Sequence, residues 1–317
     1  MLFRSMIETT STNSPFMQSD SRRSPAARRR RQVQRRRATA LAVIGLFVLV
    51  VSIIVDGGSS NTRHRTPPAP RAAERQRMHT AVSAARQRLA TEDRAIDHVL
   101  SYTPFVTSGG GRKREIALTF DDGPGPYTPK VLETLHKLHA PATFFEVGFM
   151  ERWFHASTTQ AIADGNVVGD HTEQHPKLGL LPRPQQRDQI VSQAEWLHKL
   201  GAPRPRLFRP PYGSFDSATF RILRHNQMLM VFWSVDTNDY RQPGVRVIVQ
   251  RALAGAKPGG IILLHDGGGA RSQTIAALPE IVKKLRKRRF KLVTVPQLML
   301  DDPPPRGQPL PHYLVGG

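Results

Sequence analysis

From residue 115 onward, short runs dominated by apolar residues alternate with longer stretches in which apolar positions recur every three or four residues. The runs Ile116–Phe120, Ala142–Val147, Val167–Gly169, Arg206–Phe208, Met228–Val235, Ile261–Leu264 and Leu292–Val295 predict strands. The stretches 129–139, 157–164, 185–200, 217–226, 244–256 and 274–289, with a short last one at 296–301, predict helices. Strands and helices in strict alternation build βα units, whose parallel strands are buried on both faces and therefore lack a polar side. Seven strands, each followed by a helix, predict an α/β barrel one unit short of the usual eight.

Upstream the pattern changes. Ala40–Val55 is apolar throughout except for Gly45 and Ser52, and 38–58 is uncharged apart from Asp56. At ~1.5 Å per residue that stretch spans about 31 Å, close to the ~30 Å hydrocarbon core of a bilayer. Nine Arg stand between Arg22 and Arg37, all on its N-terminal side. The positive-inside rule then puts 1–37 in the cytoplasm as a basic tail, 38–58 in the membrane and the remainder outside. A cleaved signal peptide is the competing reading, although no Ala-x-Ala site follows Val55. Residues 59–112 are expected to be a linker rich in Pro and polar residues, followed by a helical stalk over 73–100 and a break at Pro104 and Gly109–Gly111. The catalytic domain is expected over 113–301 and a Pro-rich tail over 302–317.

Composition sharpens this picture in two places. The chain of 317 residues carries a net charge of +21, which suits an anionic cell-wall setting. The basic run precedes an apolar span and no reader motif accompanies it, so nucleic acid is not an expected partner. There is no Cys, which excludes disulfides and limits any metal site to His and carboxylate ligands.

In a βα barrel the reactive groups lie at the C-terminal ends of the strands, and the charged residues cluster there. The first strand runs into Asp121 and Asp122, the third into Asp170 and His171, and the fourth into Arg209. The fifth leads to Asp236 and Asp239, and the sixth to His265 and Asp266. Charges next to buried strands are costly unless paired or bound to metal. His171 and His175 have a four-residue spacing that lets both imidazoles face one cation, and one carboxylate would complete a His₂-carboxylate set with positions open for water and substrate. Of the neighbouring Asp121 and Asp122, one could ligate while the other accepts a proton.

Five segments resemble, in order, the signatures of the polysaccharide deacetylase family, whose fold is also called the NodB homology domain. They are Thr119-Phe120-Asp121-Asp122-Gly123-Pro124, His171-Thr172-Glu173-Gln174-His175, Arg209-Pro210-Pro211-Tyr212-Gly213, Asp236-Thr237-Asn238-Asp239-Tyr240 and Leu263-Leu264-His265-Asp266. The resemblance implies a distorted (β/α)7 barrel and metal-dependent hydrolysis of an acetyl group from an acetylated polysaccharide. It assigns Asp122, His171 and His175 to a divalent metal, zinc first, with Co²⁺, Ni²⁺ or Mn²⁺ as alternatives. It makes Asp121 the general base, His265 the general acid, Arg209 the group that orients Asp121 and Asp239 the partner of His265. Leu263 would line the acetyl pocket, and the backbone N–H of Tyr212 would help to hold the oxyanion. Tyr240 stands where the family usually has Trp, which bears on substrate preference.

Peptidoglycan amino sugars are the favoured substrate because of the expected tether; chitin-type oligosaccharide, exopolysaccharide and O-acetyl xylan are the alternatives. An inactive wall-binding module would be expected to have lost a ligand or the base, and this chain retains all of them. Other residues read as structural. Trp196 and Trp233 are expected in the core, Asp170 in a local hydrogen bond, and Asp266 paired with a basic neighbour. His136, His139 and His198 are expected on helix surfaces, and Gly267–Gly269 in a flexible loop.

Overall fold

The computed structural model describes residues 72–200 and 202–310. The expected membrane span and basic tail lie outside the described residues, and among those residues no helix is long and apolar enough to cross a membrane. The elements in chain order are helix α1 (Ala72–Leu100), strands β1 (Phe105–Val106) and β2 (Glu115–Asp121), α2 (Thr128–Lys137), β3 (Thr143–Glu146), α3 (Gly148–Ala163) and β4 (Val167–Asp170). They continue with α4 (Arg183–Lys199), β5 (Leu207–Phe208), α5 (Ser217–His225), β6 (Leu229–Val231) and β7 (Val235–Asp236). The last are α6 (Val245–Ala254), β8 (Gly260–His265), α7 (Ser272–Lys287), β9 (Lys291–Val293) and α8 (Val295–Asp301).

All the strand pairs are parallel, in the order β1-β6-β5-β4-β3-β2-β8-β7, with β9 added to β2. This is a parallel α/β half-barrel, consistent with the expected seven-stranded barrel. Its distortion has two identifiable sources. β8 pairs with β2 along Ile116–Asp121, so β9 and β3 share the other edge: β9 takes Glu115–Ala117 and β3 takes Thr119–Asp121. The single strand expected over Met228–Val235 is two strands, because Phe232–Ser234 leave the ladder between β6 and β7. β6 pairs with β1 and β5, whereas β7 pairs with β8, so one chain segment joins strands at or next to opposite ends of the sheet path.

The strand pleat sorts the residues into two cores. Ile116, Leu118 and Phe120 of β2 and Ile262 and Leu264 of β8 pack under helices α2, α6 and α7. The alternate residues Ala117, Ile261 and Leu263 point the other way, toward Phe145, Phe208 and Phe232. With a period of two, Thr119, Asp121 and His265 follow onto that inner face. The alternation thus delivers two polar groups, Asp121 and His265, side by side at the ends of adjacent paired strands.

Three boundaries differ from expectation. The expected stalk is divided: Ile96 and Val99, near the end of α1, are buried in the same core as Leu298 and Met299 of α8. Beyond α1, β1 pairs with β6, which the short Phe-Val run does not announce. The expected tail is also integrated as far as residue 310. Asp302 accepts bonds from the Arg112 and Lys113 backbone N–H groups and pairs with the Arg112 side chain, while Gln308 binds Thr107 and Ser108. The domain therefore begins well before residue 113 and runs past 301. The helix expected at 157–164 starts at Gly148, with a kink at Phe154 (φ −121°, ψ 27°) that blurs its periodicity.

Candidate active site

Asp122 is the first residue beyond β2 and adopts φ 69°, a left-handed conformation uncommon for a residue with a side chain. Thr172 (φ 71°), His175 (φ 59°) and Tyr212 (φ 57°) share it. Residues held in this region cost about 1–3 kcal/mol each and concentrate where side chains must be aimed. Here they aim at one another. The Asp122 Oδ1 atom lies 3.0 Å from His175 Nε2 and 3.6 Å from His171 Nε2. One ligand atom from each of the three residues falls within 4.8 Å of the others, the only such His/Asp/Glu group among the described residues.

The supporting bonds fix the imidazoles. His171 Nδ1 is 2.6 Å from the carbonyl of Arg209, so it carries the proton and leaves the Nε2 lone pair toward Asp122. His175 Nδ1 is 3.2 Å from the Tyr212 hydroxyl. Burial alone would raise the Asp122 carboxyl, but the adjacent imidazoles of His171 and His175 and the nearby His265 hold it well below the usual range. Two Nε2 atoms, each imidazole held at Nδ1, and an ionised carboxylate suit a divalent cation.

Gly267–Gly269, expected as a loose loop, instead closes against Asp122. A Cβ at Gly267 would lie 2.0 Å from the Asp122 carbonyl oxygen, and one at Gly268 (φ 69°) 2.5 Å from Asp122 Oδ2. Only glycine permits that approach.

Beside the triad stand two acid–base pairs. Arg209, fully buried, donates through Nη1 to Asp121 Oδ1 (2.7 Å) and Thr119 Oγ1 (2.9 Å). Its Nε and Nη2 donate to the carbonyls of Val231 and Phe232, both at 3.0 Å, on the segment where β6 leaves the ladder. The guanidinium thus satisfies backbone groups that the strand break leaves behind, while fixing one oxygen of Asp121. The other oxygen, Oδ2, faces His171 Nε2 at 3.8 Å.

In the second pair, His265 Nδ1 lies 2.8 Å from Asp239 Oδ1. Asp239 also accepts from the His265 backbone N–H (2.9 Å) and from the hydroxyls of Thr274 (2.6 Å) and Thr237 (3.2 Å). Burial would lower the His265 pKa, but the hydrogen bond and charge of Asp239, with Asp122 and Asp121 behind it, push it up to about 9. A cation held by Asp122 would offset part of that push and bring His265 closer to neutrality.

These groups line one groove of about 1210 Å³, larger than the ~300–1,000 Å³ of ordinary small-molecule sites. Leu263 is a buried lining residue, Tyr212 and Tyr240 line the groove and are exposed, and Tyr240 packs edge-on to His265 at 5.2 Å between ring centres. All ten residues expected in the site are therefore gathered there or directly behind it.

Sequence reasoning missed several neighbours. Thr119 and Thr274 anchor the two pairs; Thr119 sits in the first signature, but Thr274 is 35 residues from Asp239 and gave no signal. Trp233 is buried as expected yet also lines the groove, as do Phe149 and Arg271, while Asp236, legible at the end of its strand, lines it too. Trp196 is half-buried beneath the cations of Arg152 and Lys199 rather than in the core. Asp266 is buried against Thr128 Oγ1 at 2.5 Å, not against a basic side chain. Asp170 makes the expected local bond, to the Thr172 N–H at 2.7 Å, and His136, His139 and His198 are exposed.

A parallel α/β fold with a His₂-carboxylate triad flanked by an oriented carboxylate and an oriented imidazole defines the class: a hydrolase centre for acyl transfer to water. The comparisons specify it further. The polysaccharide deacetylase family model matches residues 108–231. A peptidoglycan-N-acetylglucosamine deacetylase of Bacillus cereus is 39% identical over 204 residues, covering 63% of this chain and 95% of that protein. A chitooligosaccharide deacetylase of Sinorhizobium fredii is 34% identical, covering 62% of this chain and 98% of the relative. The crystal structure of a peptidoglycan N-acetylglucosamine deacetylase in complex with a naphthyl-substituted N-hydroxybenzamide superposes with a TM-score of 0.61 at 32% identity, over 66% of this chain and 97% of the other. The chain belongs to the polysaccharide deacetylase family.

Proposed function

We propose that this protein hydrolyses the N-acetyl group of peptidoglycan amino sugars at a metal centre held by Asp122, His171 and His175. The observation that carries the reading is the pair of oriented groups, Asp121 on Arg209 and His265 on Asp239, side by side on adjacent strands next to that triad. Bound there, a divalent cation, zinc before Co²⁺, Ni²⁺ or Mn²⁺, would supply Lewis-acid polarisation of the amide carbonyl and a lowered pKa for water.

The protein's own groups do the rest. Asp121, with Oδ1 occupied by Arg209, takes the proton of the attacking water on Oδ2. The backbone N–H of Tyr212 holds the developing oxyanion. The C–N bond breaks once the amine is protonated, and His265 delivers that proton from Nε2 while Asp239 holds Nδ1. Leu263 receives the acetyl methyl group, and Tyr240 presents a ring face for a sugar. Water and amide become acetate and amine, with one proton passing in through Asp121 and one out through His265.

The peptidoglycan assignment is supported by the relatives' activities and by the Arg-flanked apolar stretch 38–58, which would tether the domain outside the cytoplasmic membrane, where that polymer lies. Chitin-type oligosaccharide, exopolysaccharide and acetyl xylan are the competing substrates. Acetate release should be measured on all four, with and without exhaustive chelation. The expected result is release from peptidoglycan that chelation abolishes and Zn²⁺ or Co²⁺ restores. Full activity after chelation would remove the metal from the proposal, and release confined to another polymer would replace the substrate.

A further inference from the structure

Arg271 has no place in the chemistry above, yet it is only 3% exposed and lines the active-site groove. A buried guanidinium ordinarily has a carboxylate or several carbonyls around it. This one has a single hydrogen bond, from Nη1 to the carbonyl of its neighbour Ala270 (2.9 Å), and its Nε is buried without a partner. Contrast Arg209, whose four bonds occupy every face of the fork. The exposed groove-edge cations are also accounted for, with Lys177 over the ring of Tyr212 and Arg241 over Tyr240.

A second feature points the same way. Arg271 is the residue immediately before α7, a helix of 16 residues whose N-terminus has no side-chain cap and no acidic residue in its first turn. That end carries partial positive charge and free N–H groups, the usual setting for an anion. The guanidinium also lies against Gly269, where a Cβ would be 3.4 Å from Nη1, so the chain is pared to backbone on that side. Gly268, one residue earlier, touches Asp122, which places the cationic corner one step along the groove from the metal triad.

We infer that Arg271 and the N-terminus of α7 form a carboxylate-reading subsite, so that the enzyme prefers glycans bearing an acid on or next to the sugar it deacetylates. The inference rests on the proposed deacetylation and narrows its substrate. In peptidoglycan that acid would be the ether-linked lactyl group of an alternate sugar from which the peptide stem has been removed; a uronic acid would offer the same chemistry. A guanidinium and a carboxylate form a planar, two-bond pair, which a neutral hydroxyl cannot replace.

The test uses the full-length chain and four oligosaccharides of equal length. They are a neutral N-acetylglucosamine oligomer, a glycan alternating with lactyl-bearing sugar, its methyl ester, and a glycan alternating with uronate. The expected kcat/KM is roughly 10- to 100-fold higher for the lactyl acid than for its ester, expressed mainly in KM. Arg271→Gln should erase that ratio and Arg271→Lys should retain part of it. A uronate glycan that outperforms the lactyl acid would assign the acid to that source. Equal use of acid and ester by the wild type overturns the inference, and so does an Arg271→Gln variant that loses activity equally on all four. Processing of the neutral oligomer alone leaves the deacetylase reading standing, so the two failures are distinguishable. Calorimetric binding of acid and ester to Asp121→Asn reads the same preference without turnover.

Discussion

Arg209 ties Asp121 to the barrel's broken strand, and a double-mutant cycle with Asp121 measures the coupling. Replacing Arg209 with Met removes a fully buried cation and, besides the Thr119 hydroxyl, strands three acceptors: the Asp121 carboxylate and the carbonyls of Val231 and Phe232. Losing one member of a buried ion pair costs about 3–5 kcal/mol, because the remaining charge stays desolvated. Each unsatisfied carbonyl adds about 1 kcal/mol or more. The sum, roughly 5–7 kcal/mol, is comparable with the ~5–15 kcal/mol that holds a whole domain together. Arg209→Met should therefore be severely destabilised. Asp121→Asn strands the guanidinium instead, but its Nε and Nη2 keep their carbonyls, so about 2–4 kcal/mol is expected. In the double variant no uncompensated charge remains, and its cost should fall at least 2 kcal/mol short of the sum of the singles. Urea unfolding of the four proteins provides the measurement. A double variant that folds where Arg209→Met does not would be the same result in extreme form. Additivity within 0.5 kcal/mol would refute the view that the pair, rather than packing against Phe145, accounts for the burial of Arg209.

Two further outcomes follow from the titrating groups. Asp239 raises the His265 pKa, so the imidazolium persists at neutral pH; because a cation at Asp122 would offset part of that rise, kcat should fall on an alkaline limb that lies below about 9 in the metal-loaded enzyme. Asp239→Asn removes the charge that raises it, so the alkaline limb of the kcat profile should move to lower pH and kcat drop ~10- to 100-fold; a lowered kcat with an unmoved limb would assign the limb to another group. Burial pushes Glu151 up to about 8, assisted by Asp170 and Glu173 and opposed by the bond from Gln193. A carboxyl whose folded pKa is raised holds its proton longer than the unfolded chain does, so its stabilisation is complete below about 4.5 and is lost as pH rises toward 8. The midpoint of thermal unfolding should thus fall between pH 5 and 8, and Glu151→Gln should flatten that decline; an unchanged slope would remove Glu151 as its cause.

The sequence by itself determined the βα order and nearly all of the reactive set. Parallel strands buried on both faces leave unmistakable apolar runs, and a charged residue directly after such a run has few structural reasons to be there. Asp121, Asp122, His171, Arg209 and His265 were legible for that reason. Only the tertiary structure decided what stands behind them. Thr274 reaches Asp239 across 35 residues, and Arg209 meets the Val231 and Phe232 carbonyls only because β6 breaks from its ladder. A broken ladder shows no change in hydrophobicity, so Met228–Val235 reads as one strand. The same holds for α1 and the 302–310 segment: the buried face of α1 is Glu92, Ala95, Ile96 and Val99, with only two large apolar residues, and the tail buries the charged Asp302, so only the finished barrel shows what they cover. Arg271 is the sharpest case. In sequence it is one Arg among many in a basic chain, and it becomes distinctive only where folding buries a cation against the groove and supplies no anion of its own. Spacing along the chain specifies which groups are available, whereas partners distant in sequence are chosen by packing, which no local pattern encodes.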